Sequence, residues 1–253
     1  MPLHHTERPI AVLAITRAGI VLAGKVVKAL PGARLYAPEA MRVLAAAAAP
    51  GACHCFSGPL RDLIPDLFDA CAGIVAICSL GAVVRLIAPH LRDKYRDPAV
   101  VVLDEAGRFA IPALSGHLGG ANALAGRIAR ALGATAVLTT ASDVRQTLAV
   151  DLLGRELGWT LEASSADLLR ASAAVVNDEP VALVQEAGTT DWWSNHANGR
   201  TGPLPVNLHC FGDLEAVDLS RYRALLWISD RAVPPVLTGY QGPLIIYRIG
   251  ATK

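Results

Sequence analysis

The run AVVVL, Ala99–Leu103, consists only of small and branched aliphatic residues, and it predicts a strand buried on both faces of a parallel sheet. Two further apolar runs, IAVLAIT at Ile10–Thr16 and GIVAIC at Gly73–Cys78, have the same character. Segments with apolar residues at helical spacing separate such runs, and Leu118–Leu132, which ends at Gly133, is the clearest of them. This alternation predicts an α/β fold with a doubly wound, mostly parallel sheet.

The character of the sequence changes past Gly158, where a second, smaller α/β domain is predicted. Residues 1–160 then form the N-terminal domain, which carries the motifs described below, and residues 161–253 form the smaller one. The runs Val175–Val176 and Val181–Gln185 flank a turn-forming Asn-Asp-Glu-Pro segment and predict a hairpin. Further short strands are predicted at 206–210, 225–229 and 244–248.

The composition excludes several functional classes. The chain is 53% hydrophobic with a formal net charge of +1, so a sizeable core is available and nucleic-acid binding is not expected. The apolar runs are interrupted by Arg or Lys, so no membrane span is predicted. An odd number of cysteines, five, without a secretory signal indicates a reducing cytoplasm. Cys53-His54-Cys55 is spaced too tightly to converge on one ion, so no metal site is predicted.

SGHLGGAN, Ser115–Asn122, opens the predicted helix and is the main candidate ligand site. Glycines let the backbone approach a ligand closely, and the free N–H groups at a helix start favour carboxylate or phosphate. The segment lacks the lysine of a Walker loop and the spacing of the dinucleotide fingerprint, and its serine is not in a nucleophile elbow. Alternatively, the glycines serve only a tight turn and helix–sheet contact. The substrate-binding candidates here are Ser115, Gly116, Gly119, Gly120 and Asn122.

Three titratable residues are the catalytic candidates. His117 has an ordinary pKa near neutral pH and suits a general acid or base, although it could equally hydrogen-bond only the backbone. Asp104 and Glu105 follow AVVVL at its carboxyl end, where open α/β sheets bind ligands. Neighbouring side chains on an extended chain point in opposite directions, so at most one carboxylate is expected to serve chemistry. A polar turn at Gly107, followed by a short strand at Arg108–Pro112, is the alternative.

Arg85, Thr140 and Asp143 complete the set of candidate substrate-binding residues. Arg85 lies on an otherwise apolar helix face and needs an acceptor, either an internal carboxylate or the ligand. Thr140 and Asp143 follow a predicted strand, where they bind ligand groups or cap the next helix. The surrounding basic residues form either an anchor for an anionic ligand or a solvated surface, and they are Arg85, His90, Arg92, Lys94 and Arg96.

Four ordered motifs together resemble the CbiG family of cobalamin biosynthesis, the cobalt-precorrin-5A hydrolases. The motifs are SLGAVVRLIAP from Ser79, DPAVVVLDEAGRF from Asp97, SGHLGGANALA from Ser115 and TTASD from Thr139. The resemblance is dense over about Ile10–Leu157 and thinner in the second domain. Each motif alone is weak, whereas their combination and order are specific.

The resemblance implies an enzyme of the anaerobic pathway that acts on a cobalt-bearing tetrapyrrole. Members open the δ-lactone between the ring A acetate and the macrocycle with water, and the methylated meso carbon leaves as acetaldehyde, giving cobalt-precorrin-5B. Cobalt belongs to the substrate, so neither a cofactor nor a separate metal site is expected. In this reading His117 with Glu105 or Asp104 activates water, and the N–H groups of Gly119 and Gly120 bind the oxyanion.

Full-length members of this family continue for roughly another hundred residues into a third domain, a common size for a domain. This sequence stops at Lys253, so that domain is expected to be absent. Two hypotheses follow: a hydrolase, or a non-catalytic tetrapyrrole-binding and handover module that needs a separate C-terminal partner. Neighbouring pathway enzymes and further copies of the chain, through Trp192-Trp193, are the other partners considered. A nucleotide binder is suggested by the fold alone, and the missing phosphate fingerprints argue against it.

Overall fold

The computed structural model describes residues 8–93, 95–190, 192–193 and 203–250. Lys94 of the predicted basic run lies outside these residues. Trp192, considered from the sequence for contact with further copies of the chain, is 5% exposed and therefore buried. Contacts between Cα atoms divide the chain into two units, the first ending at Leu138 and the second beginning at Thr139. The sequence placed the boundary near residue 160, and the structure places it about twenty residues earlier. The reason is that side chains between residues 139 and 160 belong to the core of the second unit. Examples are Leu148, Val150 and Trp159.

The first unit is built on a seven-stranded sheet. Its strands β1–β7 are Ile10–Ala14, Arg34–Pro38, Cys53–Phe56, Gly73–Ile77, Ala99–Leu103, Phe109–Leu114 and Thr135–Ala136. Its helices α1–α5 are Arg17–Ala29, Arg42–Ala48, Ile64–Ala70, Leu80–Ile87 and Ala121–Leu132. The strand order is β3-β2-β1-β4-β5-β6-β7. The neighbouring pairs β3–β2, β2–β1, β1–β4 and β4–β5 are parallel. The predicted α/β fold with a doubly wound, mostly parallel sheet is therefore confirmed.

The apolar runs that predicted the sheet form its central strands. Every residue of β4 and β5 is buried. Because successive side chains of a strand point to opposite faces, β5 contributes Val101 and Leu103 to one core and Val100 and Val102 to the other. Helices cover both faces, which explains why these strands have no polar alternation.

Local chemistry sets the ends of the two long helices of this unit. The Thr16 hydroxyl oxygen accepts a hydrogen bond from the Gly19 N–H at 3.1 Å and caps the start of α1. At the end of α5, Gly133 has φ = 70°, and the Ala134 N–H reaches back to the Ala129 carbonyl at 2.9 Å. That left-handed conformation suits glycine, so Gly133 fixes where α5 stops.

Strand β6 reverses the direction of the chain in the sheet. It pairs antiparallel with β5, with Leu103 opposite Ala110 and Val100 opposite Leu114, and a bulge lies between Val100 and Val101. The short strand predicted after Gly107 is therefore present. The residues that follow β6 lie at the edge of the sheet where the parallel strands begin, opposite to the edge where β5 ends.

The second unit is a smaller α/β body on a five-stranded sheet. Its strands β8–β12 are Thr160–Glu162, Val181–Gln185, Leu208–Phe211, Ala224–Ile228 and Leu244–Arg248, and its helices α6–α8 are Ala141–Val144, Ser165–Val176 and Pro235–Thr238. The strand order is β10-β9-β11-β12-β8, with only the β12–β8 pair antiparallel. The predicted hairpin is wrong, because Val175 and Val176 end helix α7 and β9 pairs with parallel strands instead.

A buried carboxylate joins four segments of the second unit. Glu186, directly after β9, accepts hydrogen bonds from the Leu214 N–H at 3.2 Å, from Trp227 Nε1 at 3.0 Å and from Arg231 Nη1 at 3.1 Å. Its side chain is 8% exposed. Because this buried carboxylate accepts hydrogen bonds from three donors, its charge is compensated within the protein. We therefore assign Glu186 a structural role in this unit.

Candidate functional site

Three parallel strands of the first sheet end side by side, and their ends define the candidate site. Ala14, Ile77 and Leu103 are in register as the last residues of β1, β4 and β5. The strand order reverses between β1 and β4, and open α/β sheets bind ligands at the carboxyl ends of strands at such a point. The polar residues that follow these ends, on loops or the next helix, are Thr16, Ser79, Arg85 and Glu105, called the carboxyl-edge site below.

A hydrogen bond between Thr16 and Glu105 links the ends of β1 and β5 across this edge. The Thr16 hydroxyl donates to Glu105 Oε1 while its oxygen accepts from the Gly19 N–H. A Cβ at Gly19 would lie 3.0 Å from the Thr16 oxygen, so glycine leaves room for this arrangement. The side chain of Glu105 is thereby held by one neighbour while the residue stays exposed to solvent.

Two helices begin at the carboxyl-edge site, α1 after β1 and α4 after β4. Ser79 precedes α4 in an extended conformation, and its side chain makes no capping hydrogen bond. Neither helix has an acidic residue in its first turn. The N–H groups of Leu80 and Gly81 have no carbonyl one turn earlier in the helix to bind. This edge therefore offers N–H donors and positive helix ends to an anion.

Arg85 extends back along α4 toward the same edge. Its Nη1 atom donates to the Gly81 carbonyl at 3.1 Å, and the residue is exposed. The predicted need for an acceptor is thus met partly by the backbone of its own helix. Its neighbours on α4 include two exposed apolar side chains, Leu80 at 41% and Val84 at 50% exposure. A cation beside apolar surface suits a ligand that combines carboxylates with a hydrophobic ring.

Asp104 closes the turn between β5 and β6. Its Oδ1 atom accepts from the N–H groups of Arg108 at 2.8 Å and Phe109 at 2.7 Å, and Oδ2 accepts from Arg108 Nε at 3.3 Å. Partial burial works against the charged form, but the Phe109 and Arg108 hydrogen bonds outweigh it and hold the pKa of Asp104 below its ordinary value. With its oxygens occupied, Asp104 matches the polar-turn alternative and is poorly suited to act as a base.

Replacing Asp104 with Asn is expected to lower the free energy of unfolding by about 1 kcal/mol at pH 7, because a neutral amide accepts these hydrogen bonds more weakly. The lowered pKa means that the contribution of the charge is present above the ordinary Asp pKa of about 3.9 and is lost as the pH falls through the folded-state pKa. Denaturant unfolding at pH 7 and near pH 2 measures this. An equal deficit at both pH values would contradict the assignment.

Cys78 lies close to Glu105 at the end of β4. Burial, and then the charge of Glu105, raise the pKa of the Cys78 thiol. A raised pKa keeps the thiol protonated at neutral pH, and a protonated thiol is a poor nucleophile. The candidate site therefore offers a carboxylate and hydroxyl groups for chemistry rather than a thiolate.

The segment Ser115–Asn122, called the glycine loop below, lies at the opposite edge of the sheet. It follows β6, and the Ser115 hydroxyl donates to the Asp97 carbonyl just before β5 at 3.1 Å. Strand β5 separates the two edges by five residues, roughly 16 Å at about 3.3 Å per residue. The structure thus does not bring His117 together with Asp104 or Glu105. This corrects the expectation that they activate one water jointly.

The N–H groups of the glycine loop are largely used within the loop. Gly120 N donates to the His117 carbonyl at 3.0 Å, and the N–H groups of Ala121 and Asn122 donate to the carbonyls of Ser115 and Gly116 at 3.1 and 3.0 Å. The expected oxyanion donor at Gly120 is therefore already engaged. The helix start at α5 presents fewer free donors than its sequence suggested.

Close packing explains why the glycine loop contains its glycines. A Cβ at Gly119 would lie 2.2 Å from the Cβ of Ser115, and one at Gly116 would lie 2.9 Å from Oδ1 of Asn122. Ser115 itself has φ = 55°, an uncommon conformation for a residue with a side chain. These contacts confine the loop to one path and match the alternative that the glycines serve a tight turn.

The remaining predicted residues are placed in different surroundings. Thr140 and Asp143 belong to the second unit, where Thr140 precedes α6 without a side-chain capping hydrogen bond and its hydroxyl donates to Asp143 Oδ2 across the first turn. In the basic run, Arg92 pairs with Asp69 at 2.7 Å and Arg96 lies 3.7 Å from Asp93. Partnered cations of this kind favour the solvated surface over an anchor for anions.

Sequence reasoning missed Thr16 and Ser79 as site residues. Both are hydroxyl residues placed directly after or at the end of a buried apolar run and before a helix. That combination predicts a helix cap at the carboxyl edge of a sheet, and it was the available signal. Their meeting with Glu105 depends on strand order, which no local pattern records.

The described part of the chain contains neither a cluster of metal-binding side chains nor a membrane-spanning helix. There, no three His, Cys, Asp or Glu side chains are grouped closely enough to hold a metal ion. No helix among the same residues is long and apolar enough to cross a membrane.

Comparison with known proteins gives two adjoining family matches. The family model for the cobalamin synthesis G N-terminal domain matches residues 62–143, and that for the cobalamin biosynthesis central region matches residues 148–240. Among solved structures, that of a cobalamin biosynthesis protein G homologue from Sulfolobus solfataricus is similar. It has 17% sequence identity and a TM-score of 0.46 over 95% of this chain and 60% of that chain.

Two curated relatives have the same printed name, cobalt-precorrin-5A hydrolase. The protein from Priestia megaterium is 47% identical over 172 residues, which cover 68% of this chain and 44% of the relative. The protein from Salmonella typhimurium is 33% identical over 252 residues, which cover 98% of this chain and 66% of the relative. The chain therefore spans less than two thirds of the length of either relative.

Proposed function

The chain belongs to the CbiG family of cobalamin biosynthesis, and from this membership we propose that it hydrolyses cobalt-precorrin-5A to cobalt-precorrin-5B and acetaldehyde. The observation that carries the proposal is the similarity to the Salmonella hydrolase along 98% of this chain. We further propose that it acts in the cytoplasm, which its five free cysteines support. Cobalt enters and leaves as part of the substrate.

The carboxyl-edge site is the proposed place of reaction. The substrate has many acid side chains, and the starts of α1 and α4 with Arg85 are suited to receive carboxylates. The exposed Leu80 and Val84 side chains contact the apolar ring. In this proposal the substrate binds across the ends of β1, β4 and β5 with its lactone next to Glu105.

Glu105 is the proposed general base. Its carboxylate takes a proton from water as the water oxygen attacks the lactone carbonyl carbon, and Thr16 holds the carboxylate in position through their hydrogen bond. The N–H groups of Leu80 and Gly81 stabilise the negative charge that develops on the carbonyl oxygen. The acyl–oxygen bond then breaks. The water oxygen remains in the new carboxylate, and the former lactone oxygen stays on the meso carbon as an alkoxide. As this alkoxide becomes a carbonyl, the carbon–carbon bond between the meso carbon and the macrocycle breaks. Its electron pair remains in the conjugated macrocycle, the meso carbon leaves as acetaldehyde, and Glu105 returns its proton to solvent.

His117 is the base in the competing site assignment. It lies in the glycine loop at the other edge of the first sheet, next to the start of α5. The two assignments exclude each other for one reacting bond, because the length of β5 separates them. Comparison of turnover in variants at Glu105 and His117 distinguishes the two assignments.

The test of the proposed function is the release of acetaldehyde. The purified chain is incubated anaerobically with cobalt-precorrin-5A, and acetaldehyde is measured by a coupled dehydrogenase. We expect release with the chain alone, together with a change in the visible spectrum of the substrate. Tight binding without release would favour the handover module that needs a separate C-terminal partner. If the chain neither binds cobalt-precorrin-5A nor releases acetaldehyde, the proposal is overturned.

A further inference from the structure

A groove of about 410 Å³ lies on the first unit, between α1, α5 and the turn after β5. Leu22 and Leu132 contribute apolar side chains, and Ala106 and Gly107 contribute the turn. Gly107 has φ = 66°, and a Cβ there would lie 3.0 Å from a methyl carbon of Leu22. The groove therefore depends on a turn that passes close to α1 without a side chain in the way.

Two lysines, Lys25 and Lys28, line this groove. They are three residues apart on α1, which places them on one face of the helix. No described acidic side chain forms an ion pair with either ammonium group, and the residues that line the groove include no acid. The chain contains only four lysines among its 23 basic residues, so two of the four line one groove.

The turn after β5 links the groove to the carboxyl-edge site along the chain. Ala106 and Gly107 line the groove, and they directly follow Glu105. Lys25 and Lys28 lie nine and twelve residues after Thr16, about 13 and 18 Å along the axis of α1. A ligand bound at Glu105 with long acid side chains can reach from the ring to these ammonium groups.

We propose that Lys25 and Lys28 form a carboxylate-binding subsite, which receives a peripheral acid side chain of the tetrapyrrole bound at the carboxyl-edge site. This inference rests on the proposed function, because it takes the substrate from there. It adds a determinant of substrate specificity: the subsite selects a ring whose acid side chains are free over one in which they are esterified or absent. Both lysines are exposed, so salt should weaken these ion pairs.

Chemical footprinting of the lysines tests the subsite. The chain is treated briefly with acetic anhydride, and acetylation at each lysine is measured by mass spectrometry with and without uroporphyrin, a tetrapyrrole with eight carboxylates. We expect acetylation of Lys25 and Lys28 to be at least fivefold slower with uroporphyrin than without it. A citrate arm at matched carboxylate concentration identifies the source of the carboxylate. Equal protection by citrate would show a site for free carboxylates and would overturn the assignment to a ring side chain.

A charge-matched pair of variants provides the second measurement. The double variant Lys25→Gln with Lys28→Gln is expected to weaken uroporphyrin binding about tenfold in low salt. The control, Arg61→Gln with Arg96→Gln, removes two exposed charges of the same unit that do not line the groove, and it is expected to change the affinity less than twofold. Equal affinities for both double variants would overturn the subsite. Thermal unfolding of each variant shows that a loss of affinity does not come from a loss of folded protein.

The outcomes separate the subsite from the reaction. Protection of Lys25 and Lys28 without acetaldehyde release would support the subsite and contradict the proposed hydrolase activity. Acetaldehyde release without protection of Lys25 and Lys28 would support the hydrolase activity. If the two double variants also had equal KM values, the subsite would be contradicted.

Discussion

Turnover of cobalt-precorrin-5A is expected to fall by roughly 10²–10⁴-fold when Glu105 is replaced by Gln. The amide keeps an oxygen that can accept the hydrogen bond from Thr16, so the side chain should stay in place. It cannot take a proton from water, so the loss should be in kcat with little change in KM. Acetaldehyde release under single-turnover conditions measures the effect directly.

A second carboxylate of the same unit gives the matched control. Glu39 is exposed and pairs with Arg42 at 2.6 Å, far along the chain from the proposed site. Glu39→Gln removes the same charge and should leave kcat within about twofold, since an exposed ion pair contributes little. His117→Ala is the comparison that decides between edges of the sheet. A greater loss of kcat in His117→Ala than in Glu105→Gln would indicate that the reaction takes place at the glycine loop.

Gly24→Ala is expected to destabilise the first unit by about 2 kcal/mol. Gly24 lies in α1 where this helix meets α2, and a Cβ there would be 2.4 Å from the Ala48 carbonyl oxygen and 3.0 Å from the Ala48 Cβ. The contact is with backbone, so no side-chain rotation relieves it, and α2 must move. The loss exceeds the gain of up to about 1 kcal/mol that alanine brings to a helix. Denaturant unfolding monitored by circular dichroism measures it.

Gly126 provides the control, because it is also a helical glycine of the first unit. The nearest atom to a Cβ at Gly126 is Arg130 Nη1 at 3.6 Å, the end of a flexible side chain. Gly126→Ala should therefore stabilise α5 by roughly 0.5–1 kcal/mol through helix propensity alone. Equal effects of the two substitutions would show that the α1–α2 contact is looser than the structure has it.

The sheet of the first unit was predictable because its evidence is local. Burial on both faces requires an unbroken apolar run, so Ala99–Leu103 and Gly73–Cys78 identified two central strands. Helix ends were predictable for the same reason, as at Gly133, where only a residue tolerant of φ = 70° fits. The predicted hairpin failed because two valines are too few to distinguish the end of a helix from a strand.

The site was predicted in part. Glu105 follows a strand whose carboxyl end lies at this edge, as its position after a buried run indicated. Arg85 was selected for its place on an apolar helix face, and only the structure shows that it extends back toward the same edge. Asp104 was correctly paired with the alternative of a turn, but its engagement by the N–H groups of Arg108 and Phe109 became visible only in the structure. Which of these residues perform catalysis stays a prediction until the variants at Glu105 and His117 are measured.

The sequence by itself determined the fold class, the family and the chemical inventory, because residue spacing and motif order are properties of the chain. Tertiary structure alone decided which of those groups meet. The antiparallel turn after β5 sends the glycine loop to one edge of the sheet and leaves Glu105 at the other. Strand order brings Thr16 to Glu105 across 89 residues of sequence. Such proximity arises from long-range pairing of strands, whose energy is shared over the whole sheet and leaves no mark on any single segment.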